Sequence, residues 1–366
     1  MRVPYPLVDM LRAMAALTVV IYHVVETSQW SSFPSTGGWL VFRIGWIGVD
    51  CFFVISGFVI TLSALRDHRR QPQGYWRGFA LRRIARIAPL YLFTCVAYVF
   101  LVQPHMLQTP WQEQLKNIIS HALFVHNLHA QTAYSINGPN WSIGLEMQFY
   151  LLILLLTPWL ARVAIWRMLF CLVTVAWCYR YGITWVLPPG QAAPYLQQVY
   201  TVQLPGTLDQ FALGMALGMA VARGQGPLAK LLQPAWRNFA IWSALAILLC
   251  LPAWSLFWSN PDYWNTLGMI VFWRTLLGAV FASALAAFMV FPFAQARVLR
   301  PARYLGEISY GIYLWHMLVL LTLMNVPQLR ESPLLLKTLI GTLLLASLSW
   351  HLLEKPLLDK AKRKAV

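Results

Sequence analysis

Ten apolar runs, each close to the length of a membrane-spanning helix, dominate this chain of 366 residues. They lie at residues 7–26, 40–65, 79–102, 140–160, 163–180, 199–222, 238–256, 264–291, 304–326 and 333–353. About twenty apolar residues cross a bilayer core as a helix. Hydrocarbon offers the backbone no outside partners, so such runs are driven to bond within themselves. The expected fold is an all-α polytopic membrane protein of about ten transmembrane helices, one transmembrane domain over residues 1–366 without a fused soluble domain. Composition agrees, with 59% hydrophobic and 11% charged residues against about 25% charged in a soluble domain. Trp39, Trp111, Trp159, Trp236, Trp258 and Trp264 stand near segment ends, where interfacial aromatics collect.

A net charge of +16 invites a nucleic-acid reading, but the basic residues cluster in short loops between apolar runs. That pattern writes topology instead. The loops "RDHRRQPQGYWRG", "ARVAIWR", "RGQGPLAKLLQPAWR" and "QARVLRPAR" and the tail "KPLLDKAKRK" are basic, while the intervening loops carry little positive charge. Both termini are therefore expected in the cytoplasm, with no nucleic-acid partner. The first run, preceded by Arg2, mimics a signal peptide, but "VETSQW" is a poor cleavage site and the run is read as a retained helix. Cys51, Cys95, Cys171, Cys178 and Cys250 all fall in apolar runs without metal-type spacing, and read as small buried hydrophobes.

Against this apolar background the embedded polar residues carry the information, because charge at membrane depth is costly. Arg12 and His23 share the first run, eleven residues apart, about 16 Å along a helix. Arg12 could merely snorkel and His23 could merely bond a neighbouring helix. Asp50 sits near the expected midplane of the second helix, among Gly45, Gly48 and Gly57; its bland reading is an ion pair with Arg43 or another arginine. Arg82, Arg83 and Arg86 crowd the start of the third helix ahead of Pro89. Their guanidiniums suit phosphate oxygens at a cytoplasmic mouth. In "NWSIGLEMQFY", Asn140 or Ser142 can cap a helix that carries Glu146 and Tyr150 on one face. His316 lies mid-depth in the ninth helix and either joins these groups or serves structure. Arg274 and Asp209 are expected to pair or line a cavity, and Glu354 to be satisfied by Lys355 or a loop arginine. Gly214 and Gly218 suggest close helix packing. The connection 103–139 holds His105, His121, His126 and His129, too loosely spaced for a metal site, and near 111–128 an amphipathic interfacial or re-entrant segment.

Several of these stretches, taken in order, resemble the membrane acyltransferase-3 family of integral membrane O-acyltransferases of surface glycans. They are the Arg12–His23 spacing, "GVDCFFVISGF", "LRRIARIAPLY", "NWSIGLEMQFY", "ISYGIYLWH" and the closing "EKP", which together cover residues 7–356. The resemblance implies a cytoplasmic acyl-CoA co-substrate, acetyl-CoA above all, no tightly bound cofactor or metal, and a glycan hydroxyl as acceptor outside a bacterial inner membrane. It maps an essential arginine and histidine onto Arg12 and His23, and the third-helix arginine pair onto Arg83 and Arg86. In the resulting scheme Arg12, Arg82, Arg83 and Arg86 hold the donor. His23 acts as base and is oriented by Asp50 or Glu146. Asn140, Trp141, Ser142, Tyr150 or His316 contact acceptor or oxyanion. A transporter or flippase of a lipid-linked saccharide or acyl donor is the rival use of the same embedded charges.

Overall fold

The computed structural model describes residues 5–293, 297–326 and 333–364; Arg2 and parts of two topology-bearing loops lie outside them. The ten apolar runs become ten long helices: α1 Pro6–Thr27, α2 Gly48–Arg70, α3 Tyr75–Leu101, α4 Trp141–Leu160, α5 Ile165–Val186, α6 Leu204–Arg223, α7 Trp236–Trp258, α8 Arg274–Val290, α9 Ser309–Asn325 and α10 Leu334–Ser349. Among the described residues eight helices are long and apolar enough to cross a membrane. A ninth is gained if Arg297–Glu307 and α9, bent by 56°, form one span. The remaining helix, α6, carries Asp209 and Gln210 in its first half, which lowers its hydropathy, yet most of its residues are buried inside the bundle.

The second run is broken where the sequence suggested continuity. Short turns at Leu40–Arg43 and Gly45–Ile47 precede α2, so Asp50 stands in the first turn of its helix. α2 is the hub of the bundle because glycines let two partners reach its backbone. A side chain on Gly48 would strike the Ala15 carbonyl of α1, and one on Gly214 of α6 would strike the Val54 carbonyl of α2. Trp39, Trp111, Trp159, Trp236 and Trp258 are exposed at helix ends, the placement of an interfacial belt. Cys51 and Cys95 are buried, but Cys171, Cys178 and Cys250 point outward from the bundle, which corrects the expectation of five buried thiols.

Two buried ion pairs fasten the helices around α6. Asp50 accepts from Arg274 at 2.5 Å and from Gln210 at 2.5 Å, and the Arg274 guanidinium also lies over the Trp46 ring. Asp209 pairs with Arg180, with Thr275 donating to the same carboxylate. Arg274 and Asp209 thus choose different partners from those expected. Arg43, offered as a partner for Asp50, instead caps the Phe33 and Pro34 carbonyls. The segment 103–139 contains an amphipathic helix, Trp111–Ala122, whose Trp111, Leu115, Ile118 and Ile119 are exposed.

Removing one member of a buried pair leaves an uncompensated charge, whereas removing both does not. Arg274→Leu should therefore cost about 3–5 kcal/mol, and Asp50→Leu with Arg274→Leu should recover most of that. Thermal unfolding in lipid nanodiscs checks the comparison.

Candidate active site

The ion pairs consume most of the embedded charge, and what they leave gathers around one cavity of about 120 Å³. Arg12, Arg83 and Arg86 line it, as do Glu146, Tyr150, Ser142 and Tyr313 and a row from α2 that includes Phe52, Phe53 and Ser56. Three arginines against one carboxylate make the lining cationic. The carboxylate is fixed, since Glu146 Oε1 accepts from Ser56 Oγ at 2.8 Å and from Tyr150 at 2.6 Å.

The arginines are not equivalent. Arg82 pairs with Asp67 and does not line the cavity. Arg86 donates to Glu354 at 2.9 Å and to the Glu307 carbonyl at 3.1 Å, between the rings of Tyr310 and Trp350. A π-helical turn, Trp350–Glu354, follows α10 and presents both Trp350 and Glu354 to it; such turns re-aim side chains. Glu354 is thus satisfied by Arg86 rather than by Lys355 or a loop arginine. Arg83 forms no ion pair among the described residues. It rests on the rings of Phe79 and Tyr150 with Nε unpartnered. Among the described residues Arg12 forms an ion pair with Asp9 alone, at 3.8 Å. Arg83 and Arg12 are therefore the guanidiniums with donors to spare for an anion.

His23 lies in the last two turns of α1, beyond the cavity lining. Its partner is not the expected carboxylate: Asp50 is held by Arg274 and Glu146 by Ser56 and Tyr150. His316 takes the place, with Nε2 3.2 Å from His23 Nδ1 and ring centroids 5.0 Å apart. The contacts fix the protons. His316 Nδ1 lies 2.6 Å from the Tyr313 carbonyl, which can only accept, so that nitrogen donates. With both rings neutral, His316 Nε2 then accepts, and the donor must be His23 Nδ1–H. The same N–H faces the Val19 carbonyl at 3.0 Å. His23 Nε2 is left with its lone pair free on a half-buried ring, the form a general base needs.

The remaining candidates divide. Ser142 and Tyr150 line the cavity, and Ser142 Oγ lies 2.8 Å from the Tyr313 hydroxyl. Asn140 instead is wholly buried behind it, donating to Cys95 and offering its carbonyl to His126. Trp141 packs edge-on against Phe53. The sequence reading missed Tyr313, one turn before His316; an aromatic inside an apolar run gives no polar signal.

A family model described as an acyltransferase domain matches residues 5–353. The chain belongs to this acyltransferase family. That agrees with the resemblance carried by its motifs. Among relatives, a putative peptidoglycan O-acetyltransferase of Bacillus subtilis is 28% identical over 375 residues, covering 96% of this chain and 54% of the relative. A peptidoglycan O-acetyltransferase of Listeria monocytogenes is 25% identical over 381 residues, with 96% and 55% covered. An O-acetyltransferase of Staphylococcus aureus is 26% identical over 397 residues, with 97% and 57% covered. The chain spans about half the length of these relatives. No solved structure matches it.

Behind the cavity, His121 and His126 stack with centroids 4.2 Å apart, each donating to a backbone carbonyl, Asn117 and Asn140. Burial pushes His126 down to about 4 and His121 down to about 3. Both titrate near 6.5 when unfolded, so the unfolded chain takes up their protons first. Their stabilisation is full above pH 6.5 and drains away as pH falls towards about 4 for His126 and about 3 for His121. The melting temperature should drop across that window, and less steeply in His121→Gln.

Proposed function

We propose that this chain is an integral membrane O-acyltransferase moving an acyl group, acetyl in the first place, from cytoplasmic acyl-CoA to a hydroxyl of an extracytoplasmic glycan. The observation that carries the reading is the His23 imidazole, with Nδ1 committed to His316 and Val19 and Nε2 free, beyond a cavity with uncommitted arginines. The relatives' names favour a cell-wall glycan over lipopolysaccharide as acceptor. The alternating basic loops support cytoplasmic termini and an arginine end facing the cytoplasm of a bacterial inner membrane.

In this scheme Arg83 and Arg12 grip the phosphates of the donor, and Arg86, tied to Glu354, shapes their mouth. The neutral pantetheine arm extends through the cavity and carries the thioester outward. A sugar hydroxyl arriving from outside gives its proton to His23 Nε2 as its oxygen attacks the thioester carbonyl. The carbonyl oxygen gathers charge near Ser142, whose hydroxyl can turn to donate. The C–S bond then breaks, the acyl ester leaves on the glycan, and the proton passes from His23 to the CoA thiolate. His316 positions His23 and accepts from its Nδ1–H, as the third member of a triad does.

Transfer of labelled acetyl from acetyl-CoA to a muropeptide, by the full chain in nanodiscs, tests this reading. His23→Ala should lose about 10²–10⁴ in rate and keep its affinity for CoA. Arg83→Ala should instead weaken donor binding by about tenfold. His316→Ala should lower kcat with little change in KM. Wild type that neither binds nor consumes acyl-CoA would put the flippase reading ahead.

A further inference from the structure

A second, smaller cavity lies beside the first turn of α4. Trp141 lines it, the next residue, Ser142, lines the arginine cavity, and no described residue lines both. Its other walls come from two connections, Asn127, Ala133 and Tyr134 from 103–139 and Val199 and Val202 from the stretch before α6. Gln203 donates to the Leu128 carbonyl at 3.2 Å and Tyr195 to the Ala130 carbonyl, which clasps the two connections together. In the orientation proposed above both lie on the extracytoplasmic side, as does the His23 end of α1. The volume is about 10 Å³, room for one group the size of a water.

The lining offers two chemistries. Asn127 is 4% exposed, yet its Nδ2 has no hydrogen-bond partner among the described residues, and neither has the Tyr134 hydroxyl. The Asn127 amide cannot be turned over. Gln148 Nε2 lies 3.1 Å from the Phe124 carbonyl, which can only accept, so that atom is the amide nitrogen. It also donates at 2.8 Å to Asn127, which therefore gives its oxygen to Gln148 and keeps its NH2 unspent. Buried donors left so are costly until something meets them. Ala133, Val199 and Val202 are buried too, and they make a dry slot. A water or a sugar hydroxyl would satisfy the donors and leave the aliphatic walls unused. An acetamido group meets both, its carbonyl on Asn127 and Tyr134 and its methyl on the aliphatic side chains.

Resting on the acyl-transfer reading above, we propose that this pocket seats the acetamido group of the acceptor, which is therefore an N-acetylated amino sugar. The half-buried Trp141 indole supplies an apolar face for the sugar ring. The sugar so held is one residue along α4 from the donor cavity that Ser142 lines. The bonds made and broken remain those of the transfer already described; the pocket decides which glycan arrives.

The test is acetyl transfer from acetyl-CoA to a muropeptide and to its N-deacetylated form, by the full chain in nanodiscs. Wild type should show a KM at least about tenfold lower for the N-acetylated acceptor. Tyr134→Phe removes a hydroxyl that bonds no described residue, so its thermal stability should not fall. It should raise KM for the muropeptide about tenfold with little change in kcat, and leave the N-deacetylated acceptor and CoA affinity as they were. Ala133→Val, which fills the slot, should act in the same way; should it fail to fold, Tyr134→Phe decides alone. Equal wild-type KM for the two acceptors, or a Tyr134→Phe protein that weakens both alike or neither, overturns the pocket and leaves acyl transfer standing. A fall in CoA affinity in Tyr134→Phe would make the pocket a donor site, which also overturns the proposal. Wild type that consumes no acetyl-CoA overturns the acyl-transfer reading, and the pocket with it.

Discussion

Charge in hydrocarbon must find a partner, and that constraint organises this molecule. A lone guanidinium or carboxylate at membrane depth costs several kcal/mol, so embedded ions fall into pairs that also fasten helices. Asp50 with Arg274 joins α2 to α8, Asp209 with Arg180 joins α6 to α5, and Arg86 with Glu354 ties α3 to the turn after α10. α2 packs against α1 and α6 through backbone contacts that only glycine permits. What remains outside these pairings is informative by subtraction. Among the described residues Arg83 forms no ion pair, Arg12 has a distant one, and both face the same cavity.

Donor end and base end are built by different means. The arginine end rests on charge, aromatic stacking and a π-helical turn that brings Trp350 and Glu354 to Arg86. The base end is neutral, two imidazoles in a hydrogen-bonded row that starts at the Tyr313 carbonyl. A carboxylate beside His23 would hold a proton on the ring. A second histidine orients it without adding charge to a lipid-buried site, which suits a base that must begin unprotonated. Tyr313 belongs to both ends, its ring walling the cavity and its carbonyl setting the tautomer of His316.

The elements were largely legible in the sequence because spanning length and apolarity are local properties. All ten runs became helices, though α5 runs to Val186, past its expected end, and the second run breaks before Gly48. The motif-bearing residues that face the cavity, Arg12, Arg83, Arg86, Ser142, Glu146 and Tyr150, were also singled out from sequence. Pairings were not legible, because the partner of a buried charge is chosen by tertiary packing. Asp50 faces α8 rather than α1, so it cannot orient His23, and Arg180, within an apolar run, gives no sign in the sequence that it is fully buried on Asp209. Tyr313 was invisible for the opposite reason, since an aromatic inside an apolar run looks like any other core residue.

The central claim is that His23 stands as a neutral imidazole with Nδ1–H given to His316 and its lone pair free on Nε2. Nitrogen-15 NMR of histidine-labelled protein in lipid at neutral pH reads that proton directly, with His23→Gln and His316→Gln supplying the assignments. Both rings should carry their proton on Nδ1, and His316→Gln should shift the His23 signals. A His23 ring protonated on Nε2, or an imidazolium at neutral pH, would contradict the claim and remove the base from the reaction as drawn.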